Sequence, residues 1–192
     1  MKHRKTHIKP KLSPAQKEAI YALPLGKQFR IVHIDEGSGF AVFQHILVDT
    51  EANDYAQVLA VAKAYAKETV CAINPIVDKN ASTARQTIYP GIADNANPDI
   101  TTCKYGYIDV KSPMNKRNIV SNANDACKQG AIAVITDLAL CEPLNHKLIL
   151  QITAKIFSER NTNHQGQSNY TKDRIHWFVN GELLKYNRSE MN

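Results

Sequence analysis

The chain has 192 residues, of which 43% are hydrophobic, and it carries a net charge of +6. This apolar content is sufficient for a folded core, which excludes a disordered chain. No stretch approaches the roughly 18 consecutive apolar residues that a membrane-spanning helix needs, so no membrane association is expected. The positive charge favours a polyanionic partner, with nucleic acid first.

The first eleven residues, MKHRKTHIKPK, contain five Lys or Arg side chains and no acid. They also have no apolar segment of the kind that a secretory signal requires. We expect residues 1–27 to form a basic arm with a short helix, and residues 28–192 to form a single domain. The four cysteines contain no C-x-x-C pair, which predicts reduced thiols in a cytoplasmic protein rather than a zinc site.

The elements of the first half alternate between helical and extended patterns. Ser13 and Pro14 favour a helix start, and a Gly-rich turn at 37–39 separates two apolar runs. These patterns predict helices at 14–22 and 54–67, and strands at 29–34, 40–47 and 70–76. The polar segment 78–96 contains Pro90-Gly91 and is expected to be a long loop.

The second half continues with a tight hairpin and ends with another. Pattern and turn signals predict strands at 99–103, 105–112 and 131–137, helices at 118–129 and 143–159, and a final hairpin turned at Asn180-Gly181. The expected fold is therefore α/β, with a mixed central sheet, helices on its faces, and a C-terminal helix and β-hairpin as additions.

The predicted hairpin at 99–112 carries three charges where a strand pair normally has apolar side chains. Asp109 and Lys111 are two residues apart and so share one face of their strand, and Asp99 can lie beside them if the strands pair. Two adjacent carboxylates repel each other unless a cation lies between them. Oxygen ligands of this type suit Mg²⁺ or Mn²⁺, with the backbone carbonyl of Val110 as a further ligand. Lys111 would then hold the attacking water and neutralise charge on a phosphate.

The pattern Pro98-Asp99 followed by Asp109-Val110-Lys111 resembles the signature of the PD-(D/E)-x-K nuclease superfamily. The resemblance implies a restriction-endonuclease-like core of helix, three strands, helix and strand, which corresponds to residues 54–137. It also implies a polar group on the helix that follows the motif and an acid on the first helix. For these roles it points to Gln129 and Glu68.

The helix after the motif places four polar residues on one face, at spacings of four, three and four: Asn118, Asn122, Asp125 and Gln129. Nucleic-acid contacts are expected from Lys104, Lys116, Arg117, Asn118 and Asn122.

The stretch from Phe29 to Leu138 is also similar to toxin nuclease domains of bacterial contact-dependent inhibition proteins and of phage or mobile-element polypeptides. That resemblance implies an RNA substrate, tRNA among the candidates, in preference to DNA, with a cognate inhibitor protein and delivery as a toxin. It also leaves open a metal-independent ribonuclease of the barnase/RelE-like type. In that alternative His45, Lys111 and the helix asparagines would supply acid–base and phosphate-binding groups.

Two further interpretations remain open from the residues. Asp109 and Lys111 can be a simple ion pair on an exposed strand, and the polar helix face can be its solvated side. The chain can then be a non-catalytic nucleic-acid-binding module or a phage-type accessory protein. A separation of more than about 8 Å between Asp99 and Asp109 would exclude a shared ion.

Overall fold

The structure is a computed structural model that describes residues 12–92, 96–140, 144–158 and 172–191. It has an α/β fold built on one eight-stranded mixed sheet, as the sequence predicts. Residues 1–11 of the basic arm lie outside the described residues. The helices are α1 (Pro14–Tyr21), α2 (Leu25–Gln28), α3 (Tyr55–Ala66), α4 (Ser82–Ile88), α5 (Ile119–Lys128) and α6 (His146–Ser158).

The strands follow one another across the sheet in the order of the chain. They are β1 (Phe29–Ile34), β2 (Ala41–His45), β3 (Cys71–Ile73), β4 (Ile100–Thr102), β5 (Gly106–Lys111), β6 (Ile132–Thr136), β7 (Arg174–Val179) and β8 (Glu182–Asn187). The pairs β2–β3, β5–β6 and β6–β7 are parallel, and the other four pairs are antiparallel. From α3 to β6 the chain has a helix, a strand, the short helix α4, two strands, a helix and a strand, so α4 interrupts the order that the resemblance implies.

The helices cover both faces of the sheet, and strand alternation decides which residues each face buries. On β6, Val134 packs into the core that α3 covers, whereas Ala133 and Ile135 pack against α5 and α6. On β5, Ile108 and Val110 belong to the α3 side. Asp109 and Lys111 therefore face the α5 side.

Local sequence explains the ends of several elements. Ser13 and Gln16 form a reciprocal capping box at the start of α1. Asn180 and Gly181 adopt positive φ values of 52° and 79°, which is the conformation that a two-residue hairpin between β7 and β8 requires. The predicted strands and helices are found within a few residues of their expected bounds.

The segment expected to be a long loop contains α4, so that prediction was wrong. The buried guanidinium of Arg85 in this helix donates to the carbonyls of Val77 and Ala96 and to Asn97 Oδ1. The Tyr89 hydroxyl donates to the carbonyl of Pro75. These bonds satisfy the carbonyls of Pro75, Val77 and Ala96 outside any regular ladder, and they hold the chain that leads into β4.

The edge strand β1 is irregular. Its register against β2 shifts between Ile31 and His33, so Val32 is an extra residue in the ladder. Ile31 and Ile34 are more than half exposed there. The result is a β-bulge in the outermost strand, which bends and twists that edge.

Candidate active site

The β4–β5 hairpin brings the two predicted carboxylates together. Ile100 pairs with Ile108, so Asp99 and Asp109 occupy the next opposed positions. The backbone N–H of Val110 donates to Asp99 Oδ2 at 2.7 Å. Directly opposed residues of an antiparallel strand pair have Cβ atoms about 4.5–5.5 Å apart, and their side chains lie on the same face of the sheet. The sequence-based condition for a shared ion is therefore met.

Asn74, which directly follows β3, holds the backbone around Asp99. Its backbone N–H donates to the carbonyl of Asp99 at 2.9 Å. Its side-chain amide donates to the carbonyl of Pro98 at 3.0 Å and to Thr101 Oγ1 at 2.9 Å. Because these bonds lie on both sides of Asp99, they restrict the position of its carboxyl group.

Lys111 pairs with Asp109 at the end of β5. The Lys111 ammonium lies 2.8 Å from Asp109 Oδ2, and the Asp109 side chain is only 5% exposed. Oδ2 is buried and accepts no hydrogen bond of good geometry from the described residues, so the ion pair is its main compensation. An ion pair on an exposed strand, one of the alternatives, does not describe this arrangement.

The pKa of Asp99 is raised from its usual 3.8 to about 8. Burial is the larger cause, and the negative charge of Asp109 adds to it. The raised pKa favours the protonated form of Asp99, and the Lys111 ammonium pairs with Asp109.

The residues fit a divalent cation of the magnesium type. Among the described residues, no group of three or more His, Cys, Asp or Glu side chains is placed to hold a metal. Mg²⁺ commonly uses only one or two carboxylates and takes its remaining ligands from water and substrate phosphates. The site meets that requirement with the carboxyl groups of Asp99 and Asp109, and the Val110 backbone lies beside them. Asp109 Oδ2 is buried and accepts no hydrogen bond from the described residues, so it can serve as a ligand.

The structure does not bring Glu68 to this site, and that prediction was wrong. Glu68 follows α3, which runs antiparallel to β3, so it lies at the turn of the β4–β5 hairpin rather than at the Asp99 end. Its carboxylate contacts Lys104, Lys185 and Tyr105. Three strand residues at about 3.3 Å each separate the two ends, which is too far for a shared ion.

Gln129 is also misplaced for a catalytic role. It caps the C-terminal end of α5, and this helix runs back along β5. Ile108 pairs with Ile132, so Gln129 lies towards the start of β5 and away from Asp109. The C-terminal end of α5, where Gln129 lies, therefore does not reach the site.

The other predicted contacts divide between the two ends of β5. The 3₁₀ turn after β5 and the first turns of α5 contain Lys116, Arg117, Asn118 and Asn122. These four residues follow the end of β5 where Lys111 lies, on a partly exposed surface. Lys104 lies at the opposite end, in the hairpin turn beside Glu68.

His45 has a structural environment. Its ring is fully buried, with Nε2 against Gln28 Oε1 at 3.0 Å and Nδ1 accepting from the Leu47 N–H at 3.1 Å. Burial lowers the pKa of His45 to about 4. Both ring nitrogens are occupied, so the metal-independent alternative would need a different acid–base group.

Sequence reasoning missed a polar cluster on the α3 side of the same sheet end. Ser112 Oγ contacts Gln57 Oε1 of α3 and lies 2.8 Å from Thr136 Oγ1 of β6. Asp54, before α3, lines a small cavity together with Asp99. The signal for Gln57 and Asp54 is that α3 must begin near the end of β3, since a helix joining parallel strands runs antiparallel to them.

Comparison with protein-family models, with curated proteins and with solved structures finds no significant match for this chain. In the part of the chain that the structure describes, no helix is both long and apolar enough to span a membrane.

Proposed function

We propose that this chain hydrolyses phosphodiester bonds of nucleic acid, with Mg²⁺ or Mn²⁺ held by Asp99 and Asp109, as a nuclease of the PD-(D/E)-x-K type. The observation that carries the proposal is that Asp99 lies opposite the buried carboxylate of Asp109, which itself pairs with the Lys111 ammonium. A structural ion pair needs one acid for Lys111, and the second acid raises the electrostatic cost unless it binds something.

The charge balance of the site supports a cation. With Asp99 protonated, Asp109 and Lys111 neutralise each other. When a divalent cation displaces that proton, two carboxylates and three positive charges remain, so the site gains a net charge of +1. That charge favours a phosphodiester, which carries one negative charge.

Each residue then has a defined part in the reaction. Asp99 and Asp109 would hold the cation, which would supply Lewis-acid chemistry to the phosphate and to the attacking water. Lys111, whose side chain is 25% exposed, reaches the surface of the site. Its ammonium can position the attacking water and stabilise charge that develops on the phosphate oxygens.

The substrate and setting belong to the same proposal. The similarity to toxin nuclease domains favours RNA, including tRNA, over DNA, and a cognate inhibitor protein would accompany such a toxin. The basic residues Lys116 and Arg117 stand at the end of β5 where the carboxylates lie and are suited to backbone phosphates. A cytoplasmic site of action agrees with this substrate.

The test is cleavage of tRNA, single-stranded RNA and duplex DNA by the purified protein with Mg²⁺, Mn²⁺ or EDTA. Asp109→Asn keeps the shape of the side chain, and Lys111→Ala removes the ammonium. Both are expected to lower the cleavage rate at least 100-fold. Lys128→Ala is the matched control, because Lys128 is an exposed lysine of α5 paired with Asp125 at 3.5 Å.

The outcomes separate the alternatives. Equal cleavage by the wild type and by Lys111→Ala would refute the site. Cleavage that persists in EDTA would favour the metal-independent ribonuclease. Binding without cleavage under every condition would identify a non-catalytic nucleic-acid-binding protein.

A further inference from the structure

A second charged region lies at the opposite end of the sheet from the two carboxylates. It is a cleft of about 850 Å³ between the β4–β5 turn, the start of β7 and the end of β8. Its cationic lining residues are Lys104, Arg174, Lys185 and Arg188, and Asp173 is the acid that lines it. Tyr105 and His176 add aromatic surface. A cleft of this size accommodates a small organic ligand or one unit of a polymer.

Glu68 organises two of these cations. Lys104 and Lys185 both donate to its carboxylate, as does the Tyr105 hydroxyl. Partial burial raises the pKa of Glu68, but the bonds from Lys185 and Lys104 outweigh this and hold it at about 2. One carboxylate thus fixes two ammonium groups, and this group of three side chains keeps a net charge of +1.

Tyr105 forms the aromatic part of the cleft. The ammonium groups of Lys104 and Lys185 lie 5.1 and 5.4 Å from the centre of its ring. His176 packs edge-on against the same ring, with centres 5.3 Å apart, and its Nδ1 bonds the buried Tyr65 hydroxyl at 2.5 Å. The ring is therefore held by buried neighbours while cations surround it.

We propose that this cleft binds a phosphate-bearing nucleotide unit, with the phosphate on Arg174 and Lys185 and the base beside Tyr105. A run of acidic residues such as polyglutamate would use the cations but has no flat ring to place against tyrosine, whereas each nucleotide supplies both groups. The inference takes its ligand class from the proposed function, but it does not depend on the catalytic carboxylates. A nucleic-acid strand is the expected source of the nucleotide, and a free nucleotide is the other.

The test is fluorescence anisotropy of a labelled 20-nucleotide RNA, titrated with the full chain in EDTA over a range of KCl concentrations. Arg174→Ala and Lys185→Ala are each expected to weaken binding about 3- to 10-fold. Each lost phosphate contact should also reduce the slope of log K against log[KCl] by about 0.7. Glu68→Gln removes a negative charge from the cleft and is expected to tighten binding, which is an effect of opposite sign.

Two controls separate this cleft from the proposed active site. Lys128→Ala removes a lysine from α5, on the other face of the sheet, and should leave binding nearly unchanged. Asp109→Asn should retain RNA binding even where cleavage is lost. If cleavage depends on Asp109 but Arg174→Ala and Lys185→Ala bind like Lys128→Ala, the cleft proposal fails and the proposed function stands.

Competition identifies the ligand. Displacement of the RNA by millimolar AMP, lost in the Lys185→Ala variant, would assign the cleft to free nucleotides. Failure of AMP to compete, with the same variant effects on RNA, would assign it to the polymer. Polyglutamate that binds as tightly as RNA, with the same loss in both cleft variants, would overturn the proposal in favour of an acidic polypeptide.

Discussion

Replacing Asp99 with Asn tests the central feature of the site, because it retains the shape of the protonated side chain and removes its ionisation. The amide can still accept from the Val110 N–H and can donate to Asp109. In the wild type the folded-state pKa of Asp99 is raised, so its favourable contribution is complete below about pH 4 and is lost as the pH rises to about 8. The free energy of unfolding of Asp99→Asn does not fall in this way, because the amide does not ionise.

The magnitude follows from the size of the shift. One pKa unit is worth about 1.4 kcal/mol, so even half of the rise from 3.8 to about 8 corresponds to about 3 kcal/mol. In EDTA at pH 8 we therefore expect Asp99→Asn to be more stable than the wild type by about 3 kcal/mol. For a chain of this length that raises Tm by about 6–12 °C. At pH 4 the two proteins should be nearly equal.

The same variant should lose its response to metal. At ten times Kd, Mg²⁺ stabilises a protein by about 1.4 kcal/mol through binding to the folded state alone. We expect this gain for the wild type at pH 8 and little or none for Asp99→Asn, measured by thermal unfolding followed by circular dichroism. If the variant is less stable than the wild type in EDTA at pH 8, or if both respond equally to Mg²⁺, the paired-carboxylate argument is wrong.

Three other substitutions or conditions test the surroundings of the site and the core. Arg85→Met leaves the carbonyls of Val77 and Ala96 without their donor and should lower the free energy of unfolding in urea by about 3 kcal/mol. A decrease below about 1 kcal/mol would contradict the role of Arg85 in joining these two segments. Asn74→Ala should lower the free energy of unfolding by about 1–2 kcal/mol. It should also slow nucleic-acid cleavage, with a larger change in kcat than in KM. An unchanged kcat would show that Asn74 does not position Asp99. Burial lowers the pKa of His45 to about 4 and that of His176 to about 3. The contribution of these two side chains to the free energy of unfolding is therefore complete above pH 6.5 and is lost as the pH falls towards 4. Between pH 6.5 and 4.5 the free energy of unfolding of His176→Gln should therefore fall by about 2 kcal/mol less than that of the wild type. An equal fall in both proteins would mean that His176 does not cause the acid sensitivity.

The elements with strong local signals could be predicted from the sequence. Ser13 and Pro14 mark the start of α1, and Asn180-Gly181 demands the turn between β7 and β8. The tight turn after β4 fixed the register that places Asp99 opposite Asp109. α4 escaped prediction because it has no side-chain cap and is only seven residues long. Its bonds to distant carbonyls through Arg85 depend on tertiary structure, which no local pattern records.

The two misplaced site residues share one cause. Both Glu68 and Gln129 stand at the C-terminal ends of helices that connect parallel strands, and such helices run antiparallel to the sheet. The end of the sheet with Asp99 and Asp109 receives the first turns of α3 and α5 instead. Spacing along the sequence predicts which face of a helix a residue occupies, but the end of the helix that reaches the site depends on the connection. Gln57, which contacts Ser112 directly after β5, therefore lies at this end of the sheet in place of Glu68.

The bulge at Val32 has a consequence for how copies of this chain behave when they meet at high concentration. β1 is the first strand of the sheet, and a flat outer strand exposes backbone groups that another molecule can pair with. Ile31 and Ile34 would add an apolar attraction to such pairing. The extra residue interrupts the regular spacing of N–H and C=O groups along β1, so a strand of a second molecule cannot form a continuous ladder of hydrogen bonds with it. Deleting Val32 would restore that spacing, and the shortened protein should self-associate at concentrations where the natural chain stays apart.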